Sequence, residues 1–176
     1  MIETMAERLA VWIKNANEKD TASVEVLKFA LIIVINFLIP CTSALVIGAI
    51  LGKPAETALA ILAVVLIRAI SGGYHFRSSA VCSIVTAIVM IVPPHIPLPD
   101  EWNLYITLFC LVLFAIFAPA NIKGYARMPE KYFPLLKIAS LLVVGSNLIW
   151  QSPILSIIFF IQAISLLVPN KKEVRS

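Results

Sequence analysis

Six apolar runs separated by short polar connections decide what this 176-residue chain can fold into. They cover residues 24–52, 55–71, 79–92, 102–118, 132–150 and 153–168. A helix needs about 20 predominantly apolar residues to cross roughly 30 Å of hydrocarbon, and most of these runs approach that length. The rest of the chain is too small to bury them: 60% of all residues are apolar and 14% charged, too few charges to cover a water-soluble body of this size. A soluble globular domain is excluded. Because a bilayer cannot satisfy open backbone groups, the runs are expected to form an all-α, polytopic membrane protein with six transmembrane helices.

Lysine and arginine placement tests this layout independently. With both termini cytosolic, the inner side collects Arg8, Lys14, Lys19, Lys28, Arg68, Arg77, Lys123, Arg127, Lys131, Lys137, Lys171, Lys172 and Arg175, and only Lys53 is left outside. Five or seven spans would break that bias. Two runs raise questions of their own. The first is long and contains Pro40, which makes it either one kinked helix or two pieces, with one helix the favoured reading. The third is short before Pro93 and Pro94, so it must tilt, continue through the prolines, or lie partly in protein.

Ahead of the first run, Ile2, Met5, Leu9, Trp12, Ile13 and Ala16 share one helical stripe, opposite Glu3, Glu7, Lys14, Asn15 and Glu18. This amphipathic segment is expected to lie in the membrane interface, with packing on the protein's own cytosolic face as the alternative. The chain therefore divides into an interfacial helix at 1–20, a six-helix body at 21–170 and a basic cytosolic tail at 171–176. Nothing at the start resembles a cleaved leader. No basic run is long enough for a nucleic-acid footprint. Cys41, Cys82 and Cys110 are odd in number and widely spaced in apolar sequence, which suggests neither disulfides nor a zinc knuckle. Without Cys-x-x-Cys or His-x-x-x-His spacing, no metal and no cofactor is expected.

Reactive residue types converge in one inner connection, Arg68-Ala-Ile-Ser-Gly-Gly-Tyr-His-Phe-Arg-Ser-Ser-Ala-Val-Cys82. On a continuous helix His75 and Cys82 would stand about 10.5 Å apart along the axis, too far for a hydrogen bond. Ser71, Gly72 and Gly73 supply a helix stop, and Ser78 or Ser79 an N-cap for the next helix. Cys82 then falls near a helix N-terminus, where the dipole favours a thiolate, and His75 on the preceding loop can fold back to take its proton. That pair would suffice for attack on an amide. A cysteine in an apolar helix is usually a packing residue and a histidine at an interface usually solvated, and on spacing alone that ordinary reading stands ahead of the dyad. Amides near Gly72 and Gly73 or at the start of the third helix are candidate oxyanion donors, and Arg68 could stabilise that charge or serve as an interfacial anchor. Glu25, Ser71 and Asn121 are candidates for orienting His75. Asn36, Asn147 and Gln162 lie in spans, where amides more often bond between helices. His95, in Pro-Pro-His-Ile-Pro, is expected to be a solvated outer-loop residue.

The run from Arg68 through Gly73, His75, Ser78, Ser79 and Cys82, placed between the second and third spans, resembles the active-site region of the AgrB family, the accessory gene regulator B membrane cysteine endopeptidases of Gram-positive quorum sensing. Phe117-Ala-Pro-Ala-Asn121 and the following loop are similar to that family's Tyr-Ala-Pro-Ala element and lysine-rich loop, although Ile-Lys-Gly-Tyr-Ala-Arg-Met replaces a tight lysine cluster. The resemblance implies cleavage of an AgrD-like precursor peptide at the cytosolic face and its cyclisation to a thiolactone or lactone. His75 would be the base, Cys82 the nucleophile, and Arg68, Gly72 and Gly73 supporting groups. Lys123, Arg127 and Lys131 could steer an acidic precursor tail, although topological charge bias alone accounts for them more simply. A homodimer is expected, since six short helices build limited walls for a peptide groove. The competing class is a peptide exporter or transport-associated binding protein that cuts nothing.

Overall fold

A computed structural model describes residues 2–18, 20–74, 78–121 and 129–169. His75, Lys123, Arg127 and the basic tail at 171–176 lie outside the described residues. Every regular element among the described residues is a helix: α1 (Ile2–Ala16), α2 (Val24–Ile50), α3 (Pro54–Ser71), α4 (Ser79–Ile91), α5 (Asp100–Phe117), α6 (Phe133–Gly145), α7 (Asn147–Trp150) and α8 (Pro153–Leu167). Short 3₁₀ turns at Pro93–His95 and Glu130–Tyr132 link them.

Helix ends follow local chemistry. Ser23 and Ser78 cap α2 and α4, their hydroxyls accepting from the amides of Val26 and Val81. Prolines at the first turns of α3, α6 and α8 cost no hydrogen bond there. Helix α2 runs unbroken through Pro40, so the first apolar run is one helix. At 1.5 Å per residue it is about 40 Å long, roughly 10 Å more than hydrocarbon requires. The charged residues Glu25 and Lys28 mark its N-terminal turns as the excess.

Among the described residues four stretches are long and apolar enough to cross a membrane: Val24–Ile50, Pro54–Ser71, Asp100–Phe117 and Glu130–Trp150. The other two apolar helices among the described residues, Ala80–His95 and Pro153–Leu167, are shorter than a full span. The short pieces solve the problem differently. Helix α4 continues through its prolines, as Val92 remains helical and the Pro93–His95 turn extends the rod. Helix α8 is instead enclosed by protein. Leu155, Ser156, Ile158, Phe159, Gln162, Ala163 and Leu166 are all buried, so α8 packs on α5 and α3 as the centre of the bundle.

The core follows from that placement. Ile67 from α3, Met90 from α4, Cys110 and Phe114 from α5, Val144 from α6, and Ile158 and Phe159 from α8 are nearly inaccessible. Outward faces are apolar too, with Phe29, Leu62, Phe109, Leu142 and Ile149 exposed, the pattern of a body whose solvent is lipid. Helix α1 packs antiparallel on the start of α2 through Ala6 and Ala10, with Glu7 and Lys28 paired at 2.8 Å. The contact uses the edge of its apolar stripe. Met5, Leu9 and Trp12 remain exposed.

Connections sort to two ends. At one, the short turn at 51–53 lies against the proline turn, with Lys53 Nζ donating to Pro94 O at 2.5 Å. The same end contains a buried polar cluster: Asn147 Nδ2 donates to Ser156 Oγ at 2.8 Å and to Thr107 Oγ1 at 3.0 Å, and Ser156 also contacts Asn103. His95 is exposed there. The end of α3, the starts of α2 and α4, and the last turns of α5 and α8 meet at the other end.

Candidate functional site

Local sequence shapes the α3–α4 connection. Helix α3 ends when Gly72 takes φ 73°, its amide closing on Arg68 O at 3.0 Å, and Gly73 follows at φ 117°. Both conformations are strained for any residue bearing a Cβ. The chain thereby turns against the segment after α5, where Gly73 N donates to Ala120 O and Ala120 N to Ser71 O, each at 3.0 Å. This short parallel pairing joins the Gly-Gly turn directly to the Ala118-Pro119-Ala120-Asn121 element, whose Ala118–Pro119 bond is cis. Asn121, at φ 60°, donates from Nδ2 to Val168 O at 3.0 Å, tying the end of α8 to the same junction.

Gln162 is the keystone of this junction. It is buried on α8, and its Nε2 donates to Ser71 Oγ at 3.0 Å and to Gly72 O at 2.7 Å. Ser71 in turn donates to Ile67 O at 2.7 Å. The space beside Gly73 is filled by α8: a Cβ there would stand 2.6 Å from Ser165 Oγ and 2.9 Å from Gln162 Nε2. Sequence reasoning treated Gln162 only as an interhelical amide. Its signal was present, since an amide inside a 15-residue apolar helix must find polar partners, but nothing in the sequence says which.

Cys82 sits where capping predicts. With Ser78 as N-cap, its amide makes the first intrahelical bond of α4, to Ser78 O at 3.0 Å, and the thiol is half-buried. The amides of Ser79 and Ala80, in the first turn, have no intrahelical acceptor by helix geometry. Arg68, on the last turn of α3, donates through Nη2 to Tyr74 O at 3.0 Å and lies within electrostatic reach of Cys82. Thus Arg68, Gly72, Gly73 and Cys82 are gathered at one end of the bundle. The amides of Gly72 and Gly73 are, however, already bonded to backbone carbonyls. That corrects the expectation that they stand free as anion donors, and their role here is to set the turn.

Lys131 is exposed in the turn before α6, its Nζ 5.0 Å from the Tyr132 ring centre. Lys137 reaches Ala115 O at 2.8 Å, which places the start of α6 at the Cys82 end as well. Of the groups considered for orienting His75, Glu25 is exposed on α2, Ser71 is engaged with Ile67 and Gln162, and Asn121 with Val168. Cys110 is a core residue and Cys41 packs against the core. Among the described residues no group of three or more His, Cys, Asp or Glu side chains could hold a metal.

Below the junction, α3, α4 and α8 line a partly open cavity of about 240 Å³. Its inner end is apolar, formed by Val64, Val89 and Ile158, while Arg68, Tyr74, Gln162 and Ser165 line the end nearer the loop.

Apolar helices on a scale that crosses a bilayer, with polar and reactive groups collected at one end of the bundle, define a polytopic α-helical membrane protein. The chain belongs to the AgrB family, accessory gene regulator B, whose model matches residues 6–169. An AgrB-like protein 1 of Clostridium perfringens (strain 13 / Type A) is 30% identical over 118 residues, covering 67% of this chain and 61% of that protein. An AgrB-like protein of Halalkalibacterium halodurans is 28% identical over 107 residues, covering 60% of this chain and 54% of its own. The matches thus span a little over half the length of these curated relatives. No solved structure matches the chain.

Proposed function

We propose that this protein acts in an agr-type quorum-sensing system as a membrane cysteine endopeptidase that cuts an AgrD-like precursor at the cytosolic interface and closes its product into a thiolactone or lactone. The observation that carries the reading is the position of Cys82: first intrahelical amide of α4, beside Arg68, on a helix whose preceding loop contains His75.

The chemistry balances as two acyl transfers. His75 takes the Cys82 proton, Sγ bonds to the scissile carbonyl carbon, and the developing oxyanion is met by the amides of Ser79 and Ala80 and by Arg68. The C–N bond then breaks. Its amine leaves with the proton held by His75, and the N-terminal part of the precursor remains on Cys82 as a thioester. A thiol or hydroxyl within that part, deprotonated by His75, attacks the thioester; the ring closes and Cys82 regains the proton. A positioned internal nucleophile outcompetes water because effective molarities in such geometry are very large. Amide-to-thioester conversion is uphill, thioester exchange nearly balanced, and removal of the released tail draws the sequence forward.

In the same reading the shorter helices α4 and α8 complete six crossings, the Cys82 end faces the cytosol together with both termini, and residues 1–20 lie at the interface. Lys123, Arg127 and Lys131 guide an acidic tail. A homodimer supplies further walls for the peptide. The three-part division at 20 and 170 belongs to this account.

The deciding experiment uses the protein in liposomes with the short peptide encoded beside its gene, followed by mass spectrometry. Cys82→Ser, inserted and folded, should abolish cleavage. A carrier would transport the intact peptide and be indifferent to the substitution.

A further inference from the structure

Resting on the endopeptidase reading, we propose that the cavity between α3, α4 and α8 is the acyl-side specificity pocket: it receives a large apolar side chain from the residue whose carbonyl Cys82 attacks.

Register along the three walls supports the assignment. On α4, Cys82 shares a helical face with Val85, Thr86 and Val89, at spacings of three, four and seven, and these three residues line the cavity. The nucleophile therefore stands one turn above the wall, on the loop side. On α3 the lining runs from Val64 inward to Arg68 at the loop end, and on α8 from Ile158 to Ser165. Val64, Val89 and Ile158 make the deep end apolar, while Arg68 and Ser165 stand toward the loop among apolar neighbours such as Val85 and Val168. A chain whose carbonyl lies at Sγ can send its side chain down the α4 face while its backbone amides remain among Arg68, Thr86, Gln162 and Ser165, where their hydrogen bonds can be met.

Volume and charge narrow the occupant. About 240 Å³ accommodates an aliphatic or aromatic side chain and leaves alanine with empty space around it. An acidic side chain would have to leave its carboxylate among Val64, Val89 and Ile158, with Arg68, the cation lining the cavity among the described residues, back at the mouth. Discrimination in such pockets amounts to roughly 10–200-fold per methylene or so of fit.

Peptidyl chloromethyl ketones test this without knowledge of the precursor, since the cysteine displaces chloride at a carbon adjoining the ketone and the neighbouring side chain enters the pocket. The full-length protein in liposomes would be labelled with reagents bearing Leu, Phe, Ala or Asp next to the ketone. Each Cys82 rate, read by peptide mass spectrometry, would be normalised to the rate with iodoacetamide, which fills no pocket. Leu and Phe should exceed Ala by about tenfold and Asp by more. Val89→Phe should lower the normalised Phe rate about tenfold, and Ile161→Ala, which shortens another lining residue on α8, should raise Phe relative to Leu, with iodoacetamide unchanged in both.

Equal normalised rates for all four reagents would overturn the proposal while leaving the nucleophile intact, as would expected if a lipid chain occupied the space. A Cys82 no more reactive toward iodoacetamide than Cys41 and Cys110 would overturn both this inference and the reading beneath it.

Discussion

Replacing Gln162 with leucine removes the side-chain amide that bonds α8 to Ser71 and the Gly-Gly turn while nearly conserving volume. Two hydrogen bonds are lost, to Ser71 Oγ and Gly72 O. The serine keeps its bond to Ile67 O, so that loss is close to the ~0.6 kcal/mol typical of side-chain bonds in membrane bundles. Gly72 O loses a donor in a part-buried position, which costs about 1–3 kcal/mol. Together the substitution should destabilise the junction by roughly 2–4 kcal/mol. Two assays see it: reversible unfolding in mixed micelles, and the rate at which iodoacetamide reaches Cys82. Gln162→Glu is the sharper control. It matches the shape, but at neutral pH its carboxylate accepts and cannot donate, so it should resemble leucine and recover as falling pH protonates the group. Ser71→Ala should cost only the smaller amount, and the double variant should fall short of the sum. If leucine and glutamate both left stability within about 0.5 kcal/mol of the parent and Cys82 labelling unchanged, the keystone role of Gln162 would be refuted.

Other substitutions probe neighbouring features. Gly73→Ala meets both a φ of 117° and the crowded α8 side chains; it should cost at least about 1–3 kcal/mol and slow precursor cleavage, and adding Ser165→Gly should recover only the crowding part. Gly48→Ala would bring a Cβ to 2.6 Å from Thr57 Cβ, across the α2–α3 turn; thermal unfolding in detergent should show a loss of about 1–3 kcal/mol, largely relieved by Thr57→Gly. Neutralising Lys123, Arg127 and Lys131 together should raise KM for an acidic precursor several-fold at low salt with kcat nearly constant, and the difference should shrink as salt is added.

Much of the architecture could be read in advance because bilayer physics acts on single segments. Each run had to satisfy its own backbone, so helices could be placed from composition, and the isolated Lys53 marked one end of the bundle. Capping is equally local, which is why Ser78 located the start of α4 and put Cys82 in its first turn. Depth of burial is not local. Gln162 apart, little in residues 153–168 distinguishes a lipid-facing crossing from the enclosed helix they form, because most of the run is apolar on every face. Similarly, Ala6 and Ala10 carry the α1–α2 contact since small residues permit close approach, while the stronger apolar stripe of α1 stays outside. The links between Gln162 and Ser71, and between Gly73 and Ala120, connect residues far apart in sequence. Those pairings also explain why Gly72 and Gly73, conspicuous as a turn, do not offer free amides.

The most direct test of the central claim is to look for the acyl-enzyme. Liposome-embedded protein would be mixed with its precursor, quenched in acid and examined by peptide mass spectrometry. The expected result is a thioester between Cys82 and the precursor's N-terminal segment, released by hydroxylamine, missing in Cys82→Ser and strongly diminished in His75→Ala. Cleavage and ring closure at parental rates in Cys82→Ser would contradict the account.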